Sequence, residues 1–187
     1  MKNETINTTP FPARRIVLIG LCTAITCILA PFSIPIPVSP VPITMTTLVV
    51  MVEVYLLGSR DATISYVIYL LLGLVGLPVF SGFSGGLGKL AGPTGGYLIG
   101  MIFLAVFSGL AVERFPDRRL FHLAGMVLGM AVTYIFGTFW LAGQMGIGFF
   151  AGLAIGCLPY LIGDTIKVIL ALLLGPLLKS RILRLPT

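Results

Sequence analysis

The sequence predicts an all-α integral membrane protein, a compact bundle of six transmembrane helices with cytoplasmic N- and C-termini. Three observations carry that prediction: a charge-poor apolar composition, Gly and Pro punctuation at membrane-length intervals, and a lopsided distribution of Lys and Arg. Of 187 residues, 57% are hydrophobic and only 10% charged, whereas a soluble domain carries about a quarter charged residues. Such a surface suits lipid better than water. The length fits one compact unit and leaves no room for a soluble enzyme domain. The net charge of +6 is not a nucleic-acid signal, because the bases flank apolar runs without interleaved aromatics.

Residues 1–13 read as a flexible cytoplasmic N-terminus. They show no signal-peptide cleavage pattern, so the first apolar run is expected to be retained. The membrane domain spans residues 14–180, and residues 181–187 form a basic cytoplasmic tail. The first span covers 16–32, where 17 residues rise about 26 Å, slightly less than the hydrocarbon thickness. Pro31, Pro35, Pro37, Pro40 and Pro42 then break any helix, so 33–42 is expected to be a stiff extended linker.

The second span covers 43–57 and ends at Gly58-Ser59-Arg60-Asp61. The third covers 62–77 and closes at Pro78, before a glycine-rich stretch over 79–96. The fourth and fifth cover 97–112 and 123–141. The last apolar region, 147–178, would rise about 48 Å as one helix. It is therefore divided into a short outer helix over 145–157 and a sixth span from Pro159 to Leu178, with Pro159 in the first turn where its missing N–H is harmless.

Charge tests the count independently. Six spans with the N-terminus inside place Lys2, Arg14, Arg15, Arg60, Arg114, Arg118, Arg119, Lys179, Arg181 and Arg184 on the cytoplasmic side, with only Lys89 outside. That is the positive-inside pattern.

Small residues permit close helix contact in lipid. Gly125, Gly129, Thr133 and Gly137 form a four-spaced stripe, as do Gly148, Gly152 and Gly156, while Gly20 and Ala24 form a pair on the first helix. Each suits either internal packing or docking of another membrane subunit, and Gly20 with Ala24 is the best docking candidate. Cys22, Cys27 and Cys157 lack metal-ligand spacing and read as small packing residues.

Charge inside a span is costly and marks function by default. Asp164 and Lys167 fall about 8 and 12 Å into the last span, on adjoining parts of one helix face. They suit a structural ion pair or a ligand-binding pair, Asp164 accepting N–H groups and Lys167 donating to a carbonyl or carboxylate. The glycine-rich stretch lies at the same outer end. There Phe80, Phe83 and Tyr97 could supply flat walls, with Ser81, Ser84 and Thr94 as small polar partners. Gly88-Lys89 resembles the end of a phosphate loop, but Phe83 stands at the first glycine position and Leu90 at the Ser/Thr position.

Glu53 is expected to reach the interface, pair with a base such as Arg60, or receive a partner subunit. Trp140 is expected to anchor at the interface, and His122 to be a solvated boundary residue. No metal set and no nucleophile–base arrangement is visible, so the chain is not expected to be an enzyme.

The sequence resembles the BioY family, the biotin-specific substrate-binding (S) components of energy-coupling-factor transporters. The resemblance rests on Pro40-Val41-Pro42-Ile43-Thr44, Gly76-Leu77-Pro78-Val79-Phe80, Gly85-Gly86-Leu87-Gly88, Gly92-Pro93-Thr94-Gly95-Gly96-Tyr97-Leu98-Ile99-Gly100 and Leu158-Pro159-Tyr160-Leu161-Ile162-Gly163-Asp164-Thr165-Ile166-Lys167. These occur in family order across residues 14–180.

The resemblance implies high-affinity biotin capture and translocation across a bacterial or archaeal cytoplasmic membrane, with a pocket near the outer face. It maps the family's aspartate and lysine onto Asp164 and Lys167. The family's coupling-subunit face maps onto Gly20 and Ala24. Some relatives use an asparagine early in the loop; here Ser81, Ser84 or backbone groups would take its place. A transmembrane coupling subunit and two cytoplasmic ATPase subunits would complete the transporter. ATP would be used only by those partners, and this chain would need no cofactor. The alternatives are uptake of another small vitamin-like molecule and a non-transporting membrane scaffold.

Overall fold

The computed structural model describes residues 13–182. Most of the expected N-terminus and basic tail, including Lys2 and Arg184, lies outside the described residues. The order is α1 (Ala13–Leu29), β1 (Ser33–Ile36), β2 (Ser39–Thr44), α2 (Thr46–Leu74), α3 (Leu87–Ala91), α4 (Gly95–Arg114), α5 (Arg119–Met145), α6 (Phe149–Gly156), a 3-10 turn (Leu158–Tyr160) and α7 (Leu161–Ile182). Three apolar stretches, Gly95–Arg114, Arg119–Met145 and Phe149–Ile182, are long enough to cross a membrane by length and composition. The 17 residues of α1 and the two legs of α2 are shorter.

The second and third expected spans, 43–57 and 62–77, map onto the two legs of α2 and overrun its ends by three residues each; α2 departs from helical geometry at Gly58 (φ 77°, ψ −176°). The chain folds back there. Residues twelve apart on a straight helix stand about 18 Å apart, yet the Ser65 hydroxyl reaches the Glu53 carboxyl at 3.3 Å. Only Gly58 makes the turn; Ser59, Arg60 and Asp61 are already helical. Glycine is required twice over, because the φ is left-handed and a Cβ would meet Glu113 Oε1 at 2.2 Å. Glu113 of α4 accepts from the Ser59 N–H at 2.8 Å, satisfying one orphan donor of the second leg.

The expected linker is a β-hairpin. β1 and β2 pair antiparallel, Ser33 opposite Thr44 and Ile34 opposite Ile43, with an irregularity between Ile34 and Ile36. Its prolines each remove a backbone donor, which suits a two-stranded ribbon better than a sheet interior. α6 falls inside the expected 145–157 segment, and Pro159 sits in the 3-10 turn leading to α7.

The α5 stripe proves to be internal packing. A Cβ on Gly129 would come within 2.9 Å of the Leu104 Cα, and one on Gly125 within 2.3 Å of the Ala111 Cβ. Gly137 accepts the Tyr97 ring in the same way. Along the second stripe, Gly152 faces Thr138 and Ala142, and Gly156 faces Tyr97; nothing approaches Gly148 within 4 Å. Gly20 and Ala24 are exposed on the outer side of α1, and Gly20 has nothing within 4 Å.

One end of the bundle gathers the start of α1, the Gly58 turn, the 115–118 loop and the end of α7. Arg14 donates to the Ile182 carbonyl, and Arg15 pairs with Asp61. Arg60, Arg114, Arg118, Arg119, Lys179 and Arg181 belong to this end too. The opposite end carries the hairpin, the glycine-rich loop and α6, and Lys89 is the only base on those segments. Lys89 is half-buried, and desolvation there lowers its pKa.

Candidate ligand cavity beneath the hairpin and the glycine-rich loop

At that opposite end the helices leave a cavity whose empty space, counted out through its open mouth, is about 730 Å³. α7 contributes Asp164 and Lys167, three apart and thus neighbours on one face. Both are less than a tenth exposed and both line the cavity. The Lys167 ammonium donates to Asp164 Oδ1 at 2.8 Å. The Tyr134 hydroxyl of α5 donates to Asp164 Oδ2. The carboxylate is thereby fixed from two sides. The ammonium spends one of its three hydrogens on Asp164 and makes no other hydrogen bond among the described residues.

The walls come from distant segments. Tyr97 rises from the start of α4, its hydroxyl 3.2 Å from Thr138 Oγ1, and meets the Tyr134 ring edge-on at 6.4 Å. Its seat depends on missing side chains: a Cβ on Gly156 would fall 2.1 Å from its hydroxyl. Tyr69 supplies the wall from the second leg of α2, backed by Phe80 at 5.5 Å and 82°. Thr44 of β2 and Thr46 and Thr47 of α2 add hydroxyls, while Met101, Leu104 and Met130 add apolar floor.

Four contacts hold the cover down. The Tyr160 hydroxyl donates to the Val41 carbonyl of the hairpin. The Gly82 N–H donates to the Pro31 carbonyl at 2.9 Å, and the Gly86 N–H to the Gly73 carbonyl at 2.6 Å. The Trp140 indole N–H donates to the Gly92 carbonyl at 2.9 Å. Trp140 thus ties the loop to α5.

Of the eight residues expected at the site, Asp164, Lys167, Tyr97, Ser81 and Thr94 line the cavity. Phe80, Phe83 and Ser84 do not. Phe80 is fully buried behind Tyr69. Phe83 is 61% exposed, its ring edge-on to Phe32. The Ser84 hydroxyl donates to the Ser81 carbonyl at 2.8 Å within a tight turn. Gly82 and Phe83 both have positive φ there, and that turn decides which aromatic points inward.

Sequence reasoning missed Tyr69, Tyr134 and Tyr160. Four of the six tyrosines line the cavity. The available signal was their hydroxyls, since a hydroxyl at lipid depth needs a partner.

Two expectations outside the cavity are corrected. Glu53 neither reaches the interface nor pairs with Arg60. It is 3% exposed, accepts from Thr26 at 2.5 Å and from Ser65 at 3.3 Å, and so ties α1 to both legs of α2. His122 is buried rather than solvated. Its Nε2 lies 2.8 Å from the Phe115 carbonyl and its Nδ1 3.2 Å from the Tyr55 hydroxyl, because α5 turns it inward beneath the 115–118 loop.

Comparison with known proteins places the chain in a family. The family model described as "BioY family" matches residues 1–184. A protein of Thermotoga maritima named "Biotin transporter BioY" is 36% identical over 172 residues, covering 89% of this chain and 96% of its own. A protein of Rhizobium etli with the same name is 41% identical over 157 residues, covering 76% and 83%. A solved structure, described as the S-component for biotin from an ECF-type ABC transporter, superposes with a TM-score of 0.83. It is 30% identical and covers 90% of this chain and 92% of its own. On sequence over nearly its whole length, and on fold, the chain belongs to the BioY family.

Proposed function

We propose that this protein captures biotin in the cavity and delivers it across the cytoplasmic membrane as the substrate-binding component of an energy-coupling-factor importer. The observation that carries the reading is the Asp164–Lys167 pair, oriented by Tyr134 and facing an otherwise apolar cavity. Biotin presents a ureido group with N–H donors and a carbonyl acceptor, an apolar bicyclic body and a terminal carboxylate. Asp164 accepts from the ureido nitrogens, Lys167 donates to a biotin oxygen, and Tyr97 and Tyr69 enclose the rings. Ser81 and Thr94 act from the cover. A buried polar ligand group left unpaired costs about 1–3 kcal/mol, which rejects analogues lacking it.

Six crossings with both termini in the cytoplasm are supported by the concentration of Arg and Lys at the terminal end of the bundle. The cavity then opens outward. Inward release follows from reorientation of the whole bundle against a transmembrane coupling subunit that touches Gly20 and Ala24 on α1. Two cytoplasmic ATPase subunits supply the free energy. The protein itself performs no chemistry on its cargo.

Equilibrium biotin binding to the purified chain tests the reading directly. Wild type is expected to bind biotin, and Asp164→Ala and Lys167→Ala to weaken binding at least tenfold with unchanged size-exclusion profiles. Wild-type affinity in both variants removes the pair from the site. Biotin methyl ester then assigns Lys167: a loss confined to wild type places the ammonium on the tail carboxylate, and equal binding places it on the head.

A further inference from the structure

The second feature with the shape and chemistry of a site lies at the terminal end, away from the biotin cavity. Pro176 lies within α7, nearly two turns before its end, and Gly175 beside it lets the Tyr55 ring approach so closely that a Cβ there would stand 2.1 Å away. Proline cannot donate to the helix ladder and crowds the preceding turn. A cleft open to the surface lies at this point, lined by Tyr55, Pro116, His122, Pro176, Lys179 and Ser180.

The charge around this cleft is uncompensated. Among the described residues, Lys179, Arg181, Arg114 and Arg119 form no salt bridge. Lys179 lies in the wall, and Arg119 is near enough to act electrostatically on Tyr55. The acids of this end are partly engaged elsewhere, Asp61 by Arg15 and Glu113 by the Ser59 amide, and Asp117 is exposed in the adjoining loop. A helix C-terminus attracts cations, which accounts for bases in the last turn of α7. It does not account for a cleft lined by Lys179 on one side and by His122 of α5 on the other, with Arg119 one turn before His122.

We propose that this cleft holds the anionic headgroup of a membrane phospholipid, with the phosphate between Lys179 and Arg119. The surroundings select a lipid over a free anion or an acidic peptide. Leu173, Leu177 and Leu120 are 59%, 53% and 74% exposed on the flanking helices. A charged cleft that continues into exposed apolar helix surface matches an amphiphile, whose acyl chains follow the helices away from the headgroup. Basic clefts between helices at the cytoplasmic membrane face suit such headgroups. The assignment is independent of the cargo in the other cavity.

The test is native mass spectrometry of the full chain in detergent, titrated with phosphatidylglycerol or phosphatidylcholine. Wild type is expected to retain one phosphatidylglycerol in preference to phosphatidylcholine. Lys179→Gln and Arg119→Gln should each weaken that retention about fivefold, the worth of one base near a headgroup. Lys179→Arg should preserve it. Arg60→Gln removes an exposed base at the same end but outside the cleft, and should leave retention unchanged. Size-exclusion profiles confirm folding in each variant. Equal retention of the two lipids, or an equal loss in Arg60→Gln, overturns the proposal. Displacement of the lipid by inorganic phosphate would assign the cleft to a small anion instead. Unchanged lipid retention, with weaker assembly onto a coupling subunit, would make it a protein contact.

Discussion

Asp164 and Glu53 are both buried carboxyls in the same bundle, and their surroundings differ. Asp164 is 7% exposed, held by an ammonium and a phenol beside an open cavity. Glu53 is 3% exposed and held by two hydroxyls between α1 and the legs of α2, outside that cavity. Removal of a charged group from water is costly in both places, and hydrogen bonding offsets the cost in both. What separates them is the remaining bonding capacity. Around Asp164 a lysine keeps unused hydrogens facing space, so a ligand can complete the network. Around Glu53 the neighbouring side chains close in, and the contact serves cohesion. Burial of an acid therefore does not identify a binding site without a cavity and a counter-charge.

The comparison can be broken at either acid. The largest effect is expected from Asp164→Ala, which strips Lys167 of its partner and removes the proposed ureido acceptor. Biotin affinity should fall by about thirtyfold or more, as for loss of one member of a buried charge pair, measured by calorimetry. Tyr134→Phe leaves the pair but frees the carboxylate on one side, and a loss of roughly tenfold or less is expected in the same assay. Glu53→Ala should lower thermal stability, by about 1–3 kcal/mol for the two lost hydrogen bonds to a charged group between α1 and the legs of α2, while affinity in the folded fraction stays within about twofold. A tenfold affinity loss there would erase the distinction between the two acids. The smallest effect belongs to Phe83→Ala, expected within about 0.5 kcal/mol in stability and without change in biotin affinity.

The parts legible in the sequence were those governed by length and cost. Helix positions followed from apolar runs bounded by Gly and Pro, and Gly58 was visible as the end of a span. Asp164 and Lys167 stood out because charge at lipid depth needs a reason. The hairpin was hidden, since Pro35, Pro37, Pro40 and Pro42 argue against a strand anywhere except in a narrow ribbon. Tyr134 was missed because its hydroxyl calls for a partner without naming one, and nothing local aligns it with Asp164 thirty positions later. Phe80 and Phe83 look equivalent in sequence; the left-handed backbone at Gly82 and Phe83 sends one inward and the other out. Glu53 was misread because its partners, Thr26 and Ser65, are uncharged and come from different helices.

The fastening of the cover has a consequence for how binding preference can change. The hairpin is tied to the 3-10 turn before α7 by the Tyr160 hydroxyl to the Val41 carbonyl, and the loop to α5 by Trp140 to Gly92. A single hydrogen bond is worth about 1 kcal/mol net, so each tie can be exchanged at modest cost. New binding preferences can therefore be explored by exchanging residues 81–94 as a cassette, provided Phe80 stays behind Tyr69 to hold that wall.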